Sequence, residues 1–247
     1  MGHKVHPKIF RIGTVYGWDS KWFATKRTYP ALLREDVKIK AFLKAKLKEA
    51  SVDRIEIERQ PHAMTITVHS AKPGFVIGRA GAGAEDLKKQ LLEVMTIGKP
   101  DASGKKQKFN LNLNIMEVSR PSLSATIVAA SVVAELERRL PFRRILKQTV
   151  DRVQKAGAKG VKVMVSGRLN GAEIARREML SWGSVPLQNL RADIDFATDT
   201  ARMLYGTIGV KVWIYRGDIF EKDAKNNAAK ATAVPATAPK AAPANAK

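Results

Sequence analysis

Cysteine is absent from the 247-residue chain, which excludes a disulfide framework, a thiol nucleophile and a thiolate metal site. Long apolar runs are absent as well. The best candidate, residues 125–134, is about ten residues long and lies among charges, as expected of a buried helix. The N-terminus shows neither an apolar signal segment nor an arginine- and serine-rich presequence. We therefore expect no membrane partner, and a location in the cytoplasm or in an organelle that makes the protein itself.

Acidic residues are scarce relative to basic ones, with 23 Asp and Glu against 44 Lys and Arg and a net charge of +21. So large an excess indicates a polyanionic partner. After Phe220 the chain is rich in Ala, Lys and Pro, and its five lysines and two acids supply only +3 of the charge. Most of the positive charge therefore belongs to residues 1–220, which we expect to fold.

Histidines number only four, and the sequence offers no Ser-His-Asp arrangement. Asp193 and Asp195 alternate along a predicted strand without further metal ligands nearby, and we expect them to pair with neighbouring arginines. His3 and His6 likewise have no acidic partners close by. The sequence therefore predicts no catalytic residue, no metal site and no cofactor.

The motif that organises the chain is Gly78-Arg79-Ala80-Gly81, which follows the apolar triplet at 75–77. A helix is predicted after it from apolar residues spaced three and four apart: Leu87, Leu91, Leu92 and Met95. Glycines without Cβ atoms let a sugar-phosphate chain approach the backbone, and the helix start with Arg79 favours anionic oxygen. A tight turn that merely needs small residues is the alternative. A dinucleotide-binding interpretation fails on the spacing of the glycines, and a P-loop interpretation fails because no Gly-Lys-Ser/Thr sequence follows.

The order of elements around this motif favours a nucleic-acid-binding module. A basic amphipathic helix is predicted at residues 36–50, and alternating strands at 54–58, 64–68 and 109–115. A polar loop at 99–106 precedes the last of these strands. The resulting order, helix-strand-strand-helix-helix-strand, is that of the type II KH domain, whose Gly-x-x-Gly loop clamps RNA backbone.

A second amphipathic helix is predicted after Pro141, following a helix that starts near residues 119–122 and ends near Arg139. One face of the second helix is apolar: Phe142, Ile145, Leu146, Thr149, Val150, Val153 and Ala156. The opposite face is mainly basic: Arg143, Arg144, Lys147, Asp151 and Lys155. A solvated surface would suffice to explain these charges, but in so basic a chain we interpret Arg143, Arg144 and Lys147 as RNA contacts.

The remaining segments predict an α+β protein with two domains. Strands are expected at 160–166, 190–196 and 208–215 and a short helix at 171–177, so that helices pack on one face of a mainly antiparallel sheet. We predict the following organisation: a basic N-terminal arm at 1–28, a type II KH domain at 29–119, a C-terminal α+β domain at 120–220 and a disordered tail at 221–247. Aromatic residues of the arm stack on nucleotides or fix the arm to the first domain.

Six segments, in this order along the chain, resemble the family of the third protein of the bacterial-type small ribosomal subunit: 2–7, 76–81, 165–169, 171–176, 190–195 and 205–214. The resemblance covers residues 1 to about 220. It implies a structural protein that binds small-subunit ribosomal RNA in the head of the subunit, beside the channel where messenger RNA enters. It also implies that Arg143, Arg144 and Lys147 face the incoming messenger and support its unwinding.

The same resemblance implies further sites and partners. RNA contacts are expected in the loop Gly78, Arg79, Ala80 and Gly81 and in the arm at His3, Lys4 and His6. The expected protein partners are the tenth and fourteenth proteins of the small subunit and the other proteins at the messenger entry. Ala80 stands where many relatives carry a polar or basic residue, and Gln148 where a further base is usual. These two differences predict weaker RNA contacts at both places.

Two other functions are compatible with parts of the pattern. A free KH protein that binds messenger RNA would share the glycine loop, but it would not require the second domain and the arm alongside the KH domain. An RNA-processing nuclease would share the charge, but the sequence lacks the paired carboxylates or histidines that such an enzyme requires. The family resemblance favours the ribosomal function over both.

Overall fold

Two four-stranded sheets organise the parts of the chain that the computed structural model describes, residues 4–60, 63–95 and 110–220. The predicted tail, the polar loop at 99–106 and His3 lie outside these ranges. The helices are α1 (Pro7–Phe10), α2 (Tyr29–Lys46), α3 (Pro73–Ile77), α4 (Ala82–Val94), α5 (Ala125–Glu137) and α6 (Phe142–Lys155). The strands are β1 (Ser20–Lys21), β2 (Val52–Arg59), β3 (Ala63–Ser70), β4 (Asn110–Glu117), β5 (Gly160–Gly167), β6 (Arg176–Gly183), β7 (Ala192–Met203) and β8 (Gly206–Asp218).

The first sheet has the strand order β1-β2-β3-β4. Strands β2 and β3 are antiparallel, whereas β4 runs parallel to β3, as a strand reached through intervening helices can. Alternate residues of β2 and β3, such as Ile57 and Ile66, are fully buried in one core with Leu43 of α2 and Leu91 of α4. The predicted order of the type II KH domain is confirmed.

The second sheet is wholly antiparallel, with the order β6-β5-β8-β7. Helices α5 and α6 pack on one of its faces, in a core that includes Val132, Ile145, Val163 and Val212. A smaller cluster around Phe196 and the strand residues Trp213 and Tyr215 is a separate core. The expected α+β architecture with helices on one face of an antiparallel sheet is confirmed.

Three elements differ from the sequence prediction. Helix α2 begins at Tyr29, with Pro30 in its first turn, and ends at Lys46. Helix α5 is capped by Ser124, whose hydroxyl accepts from the amide of Ile127, because Pro121–Leu123 form a separate 3-10 turn. The predicted helix at 171–177 is wrong. That segment leads into β6, which pairs with β5 from Gly167 opposite Arg176 onward.

The N-terminal segment is packed more closely than an irregular arm would be. Arg11 is fully buried, and its guanidinium donates to the carbonyl oxygens of Pro7 (2.9 Å), Leu187 (2.9 Å) and Asn189 (2.8 Å). Further along, β1 pairs with β2 of the first sheet. The segment therefore contacts both halves of the molecule. No helix in the described ranges is long and apolar enough to cross a membrane.

Candidate nucleic-acid interface

The glycine motif forms a sharp turn between two helices. Helix α3 ends at Ile77, the residues Arg79–Gly81 make one 3-10 turn, and α4 begins at Ala82. Gly78 has φ 71° and ψ −175°, a backbone conformation that is almost exclusive to glycine. Gly81 has φ 85° and ψ −3°, which other residues adopt only at some cost. The turn itself therefore requires glycine at Gly78 and favours it at Gly81, and each of the two leaves backbone uncovered.

A third glycine, Gly83, holds the turn in place. A Cβ on Gly83 would lie 3.0 Å from the carbonyl oxygens of Val76 and Ile77, so only glycine lets the first turn of α4 pack this closely on α3. A Cβ on Gly78 would likewise lie 3.0 Å from the amide nitrogen of Gly83. Sequence reasoning missed this role, although the spacing of the three glycines, three and two residues apart, was visible.

The turn presents positive potential to solvent. No side chain caps the N-terminus of α4. The amide of Ala82 donates to the carbonyl oxygen of Arg79, and the helix dipole favours an anion at this end of α4. The side chain of Arg79 is exposed at the tip. Phe75, with 64% of its surface exposed, lies beside the turn, and the amino group of Lys72 is 5.6 Å from its ring centroid. These groups suit an RNA backbone with an adjacent base.

A shallow groove of about 380 Å³ lies along α4 and begins at Ala84 in the first turn of that helix. Residues of α4, among them Glu85 and Lys88, form one side, and Asn112 and Asn114 of the edge strand β4 form the other. An edge strand keeps backbone amide and carbonyl groups unpaired on one side. The groove therefore offers hydrogen-bonding groups next to the backbone-binding turn.

Helix α6 carries the second group of predicted contacts. Its apolar residues Phe142, Ile145, Leu146, Val150 and Val153 are buried, so the helix is fixed against the sheet. Arg143, Arg144 and Lys147 are exposed on the opposite side, as predicted. None of these three forms an ion pair with another described residue, unlike Arg152 of the same helix, which lies 3.3 Å from Glu135. Their charges therefore remain available to an external anion.

Arg176 extends this basic surface and was not predicted. It begins β6, and its guanidinium carbon lies 5.8 Å from the ring centroid of Phe142. The guanidinium carbon of Arg143 lies at the same distance from that ring. The incorrect helix prediction for 171–177 hid this proximity. The pairing of β6 with β5, which brings Arg176 to α6, depends on contacts between distant parts of the chain.

The arm residues have mixed surroundings. Lys4 is exposed, whereas the ring of His6 packs edge-on against Phe196 with 4.7 Å between centroids. Burial, and secondarily the charge of Lys8, lowers the pKa of His6. Trp22 is fixed to the first domain because its indole N–H donates to Asp36 at 2.8 Å. Phe23, in contrast, is 95% exposed. The structure thus fixes one aromatic residue of the arm and leaves another available.

Asp193 and Asp195 of β7 are paired with bases, as predicted. Burial acts to raise the pKa of Asp195, but Lys8 (2.8 Å) and Arg216 (3.1 Å) outweigh it and hold the pKa below the ordinary value. Asp193 lies 3.8 Å from Arg216 and accepts from the hydroxyl of Tyr16 at 2.6 Å. These contacts join the N-terminal segment to the second sheet. Among the described residues no cluster of His, Asp and Glu is arranged to hold a metal ion.

Comparison with known proteins covers most of the chain. The family model of the KH domain matches residues 38–123, and that of the C-terminal domain of ribosomal protein S3 matches residues 132–214. The small ribosomal subunit protein uS3 of Pelotomaculum thermopropionicum is 51% identical over 219 residues, covering 89% of this chain and 90% of the relative. The uS3 proteins of Desulforamulus reducens (50%; 91% and 96%) and Oenococcus oeni (49%; 88% and 80%) are similarly related.

Proposed function

Because this chain belongs to the uS3 family of small ribosomal subunit proteins, we propose that it binds ribosomal RNA in the head of the subunit and lines the messenger entry channel. Family membership confirms the resemblance predicted from the sequence motifs. The protein is a structural, RNA-binding constituent of the small ribosomal subunit and not an enzyme. The contacts with particular RNAs and the residues that make them are our proposal.

The observation that carries the messenger contact is the arrangement of α6. The helix is anchored by a buried apolar face, and Arg143, Arg144 and Lys147 extend from it without carboxylate partners in the described ranges. A rigid helix that holds three free cations can bind phosphates without first breaking ion pairs of its own. We assign to this face the electrostatic holding of a messenger strand after its pairing is disrupted. No nucleotide hydrolysis by this chain is involved.

The glycine turn is assigned to ribosomal RNA. Its bare backbone at Gly78 and Gly81, the uncapped start of α4 and the exposed Arg79 together suit a sugar-phosphate chain at close range. Ala80 lies within the 3-10 turn of this loop, and with an alanine there the loop grips RNA mainly through backbone and Arg79. In the arm we retain Lys4 and His3 as proposed RNA contacts. His6 packs on Phe196, and we assign to this contact the positioning of the arm segment that carries these two residues.

Neighbouring proteins are part of the proposal as well. By family resemblance these are the tenth and fourteenth proteins of the small subunit and the other proteins at the messenger entry, in cytoplasmic ribosomes.

The test uses ribosomes that carry the triple variant Arg143→Ala, Arg144→Ala and Lys147→Ala. We expect subunits to assemble and to translate unstructured messengers at the wild-type rate, but to slow on a messenger with a stable hairpin ahead of the decoding site. The control removes three exposed lysines from α2 instead (Lys38, Lys44 and Lys46) and should leave both rates unchanged. Equal speeds of the α6 variant and the wild type through the hairpin would contradict the unwinding role.

A further inference from the structure

A cavity of about 340 Å³ opens beside the N-terminal end of α6. Three turns enclose it: the connection between α5 and α6, the 3-10 turn Leu169–Gly171, and the turn between β7 and β8. Its volume falls at the lower end of small-molecule sites, about 300–1,000 Å³. A single nucleotide unit therefore has a suitable size for this cavity, whereas a folded protein domain is too large to enter it.

The floor and wall of this cavity are apolar and held rigidly. Phe142 and Leu169 in the lining are buried. Tyr205 lines one wall, and its ring lies 3.9 Å from the position that a Cβ on Gly171 would occupy. The guanidinium of Arg168 donates to the carbonyl oxygens of Tyr205 (3.3 Å) and Ala172 (2.9 Å), which ties the two turns together. An aromatic wall is thus fixed in place before any ligand arrives.

The rim carries polar groups on unusual backbone. Arg139 (φ 61°) and Asn170 (φ 56°) both line the cavity. They are two of the three non-glycine residues with positive φ in the described ranges, Ser51 being the third. Arg139 adopts this conformation because it ends α5: its amide donates to the carbonyl oxygen of Leu136 (2.8 Å) and the amide of Leu140 donates to that of Glu135 (3.3 Å), which fixes Arg139 at the rim. A guanidinium and an amide can hydrogen-bond the edge of a nucleobase.

The surrounding charge favours RNA over a peptide as occupant. Phe142 is shared between the cavity and the basic surface, since the guanidinium carbons of Arg143 and Arg176 each lie 5.8 Å from its ring centroid. Sites for single-stranded RNA combine such basic surfaces with aromatic faces on which bases stack. We propose that the cavity receives one unstacked nucleobase of the RNA strand whose phosphates lie along α6. This inference rests on the proposed function of α6.

The test measures binding of the full-length chain to a short oligouridine and to an abasic oligomer of equal length and charge. Tyr205→Ala removes the stacking face, so affinity for oligouridine should fall about tenfold, within the range for one base–aromatic stack. Affinity for the abasic oligomer should not change. The salt dependence should also stay at the wild-type slope, since no phosphate contact is lost. Leu204→Ala, at the exposed neighbouring position, is the matched control and should behave as the wild type.

A second variant guards against misfolding of the first. Asn170→Gly keeps the left-handed backbone and removes only the amide, so oligouridine affinity should fall about fivefold, as for one lost hydrogen bond. Equal losses with both oligomers would overturn the proposal, because Tyr205 would then act only through α6. No loss with either oligomer would also overturn it, and slower incorporation into subunits would then assign the cavity to an apolar side chain of a neighbouring protein.

The triple α6 variant separates this inference from the function on which it rests. If that variant flattens the salt dependence while Tyr205→Ala changes nothing, the contact of α6 with RNA is supported and the proposed base pocket is contradicted. If neither variant changes RNA binding, both proposals fall. Base-dependent loss in Tyr205→Ala together with a flattened slope in the triple variant is the result that both predict.

Discussion

The glycine turn and helix α6 present two different ways of meeting RNA. In the turn, Gly78 and Gly81 expose backbone, and the available positive potential comes mainly from amide groups and one arginine. In α6, the positive potential comes from side-chain charges that face outward from a buried apolar row. RNA binding at the glycine turn therefore depends mainly on the shape of its backbone, whereas RNA binding at α6 depends mainly on its side-chain charges. Substitutions in the two regions should therefore weaken RNA binding for different reasons.

The largest expected effect concerns the anchoring of α6. Ile145 is 1% exposed, and Ile145→Ala should lower the free energy of unfolding by about 2–5 kcal/mol through lost burial and a cavity. Its neighbour Arg144 is exposed, and Arg144→Ala should change that free energy by no more than about 0.5 kcal/mol. Denaturant unfolding of both variants measures the contrast. A similar loss in both would mean that the basic face is itself part of the fold's stability.

The next effect concerns the backbone of the glycine turn. Gly78→Ala should lower the free energy of unfolding by about 1–3 kcal/mol, because its φ and ψ are almost exclusive to glycine and its Cβ would press on Gly83. Gly81→Ala should lower it less, about 1–2 kcal/mol, since its Cβ would meet no atom within 4 Å.

Aspartate at Gly81 is therefore the cleaner test of RNA contact at the turn. Gly81→Asp adds negative charge at a position with free space, so the fold should persist while RNA affinity falls. Gly78→Asp, by contrast, combines loss of RNA contact with backbone strain. Wild-type incorporation of the Gly81→Asp protein into subunits would show that the turn is purely structural.

The smallest effect concerns His6 in the arm. Burial and Lys8 lower its folded-state pKa, so as pH falls below about 6.5 the unfolded chain takes up a proton more readily than the folded one. The stability that His6 contributes is thus present above about pH 6.5 and is lost as the solution becomes more acidic. His6→Gln should reduce the fall in melting temperature between pH 7.5 and 5.5. An equal fall in the melting temperatures of variant and wild type between these pH values would show that His6 does not cause the loss of stability in acid.

Local patterns in the sequence account for the elements on which the proposed function depends. The amphipathic spacing of α6 and the alternation of β2 and β3 are properties of neighbouring residues, and all three elements form as predicted. Pairing between distant segments decides the rest. β6 exists because β5 offers a partner edge, and residues 172–175 show no apolar face that would hold a helix, with Ile174 82% exposed.

Buried polar contacts between distant residues were equally invisible from local patterns. Arg11 can be buried because carbonyl oxygens of Leu187 and Asn189, about 175 residues away in sequence, accept hydrogen bonds from its guanidinium. The role of Gly83 depends on two carbonyl groups of the preceding helix. Arg176 reaches Phe142 only through the sheet. In each case the residue type was visible, but the partner that gives it a role was set by tertiary structure.

The most direct test of the contact between α6 and RNA is the salt dependence of binding to a single-stranded RNA. Each phosphate contact contributes about 0.7 to the slope of log affinity against log salt concentration, so alanine at Arg143, Arg144 and Lys147 should flatten that slope by about 2. The melting temperature should stay near the wild-type value, because all three side chains are exposed. An unchanged slope in a folded triple variant would contradict the contact of this face with RNA.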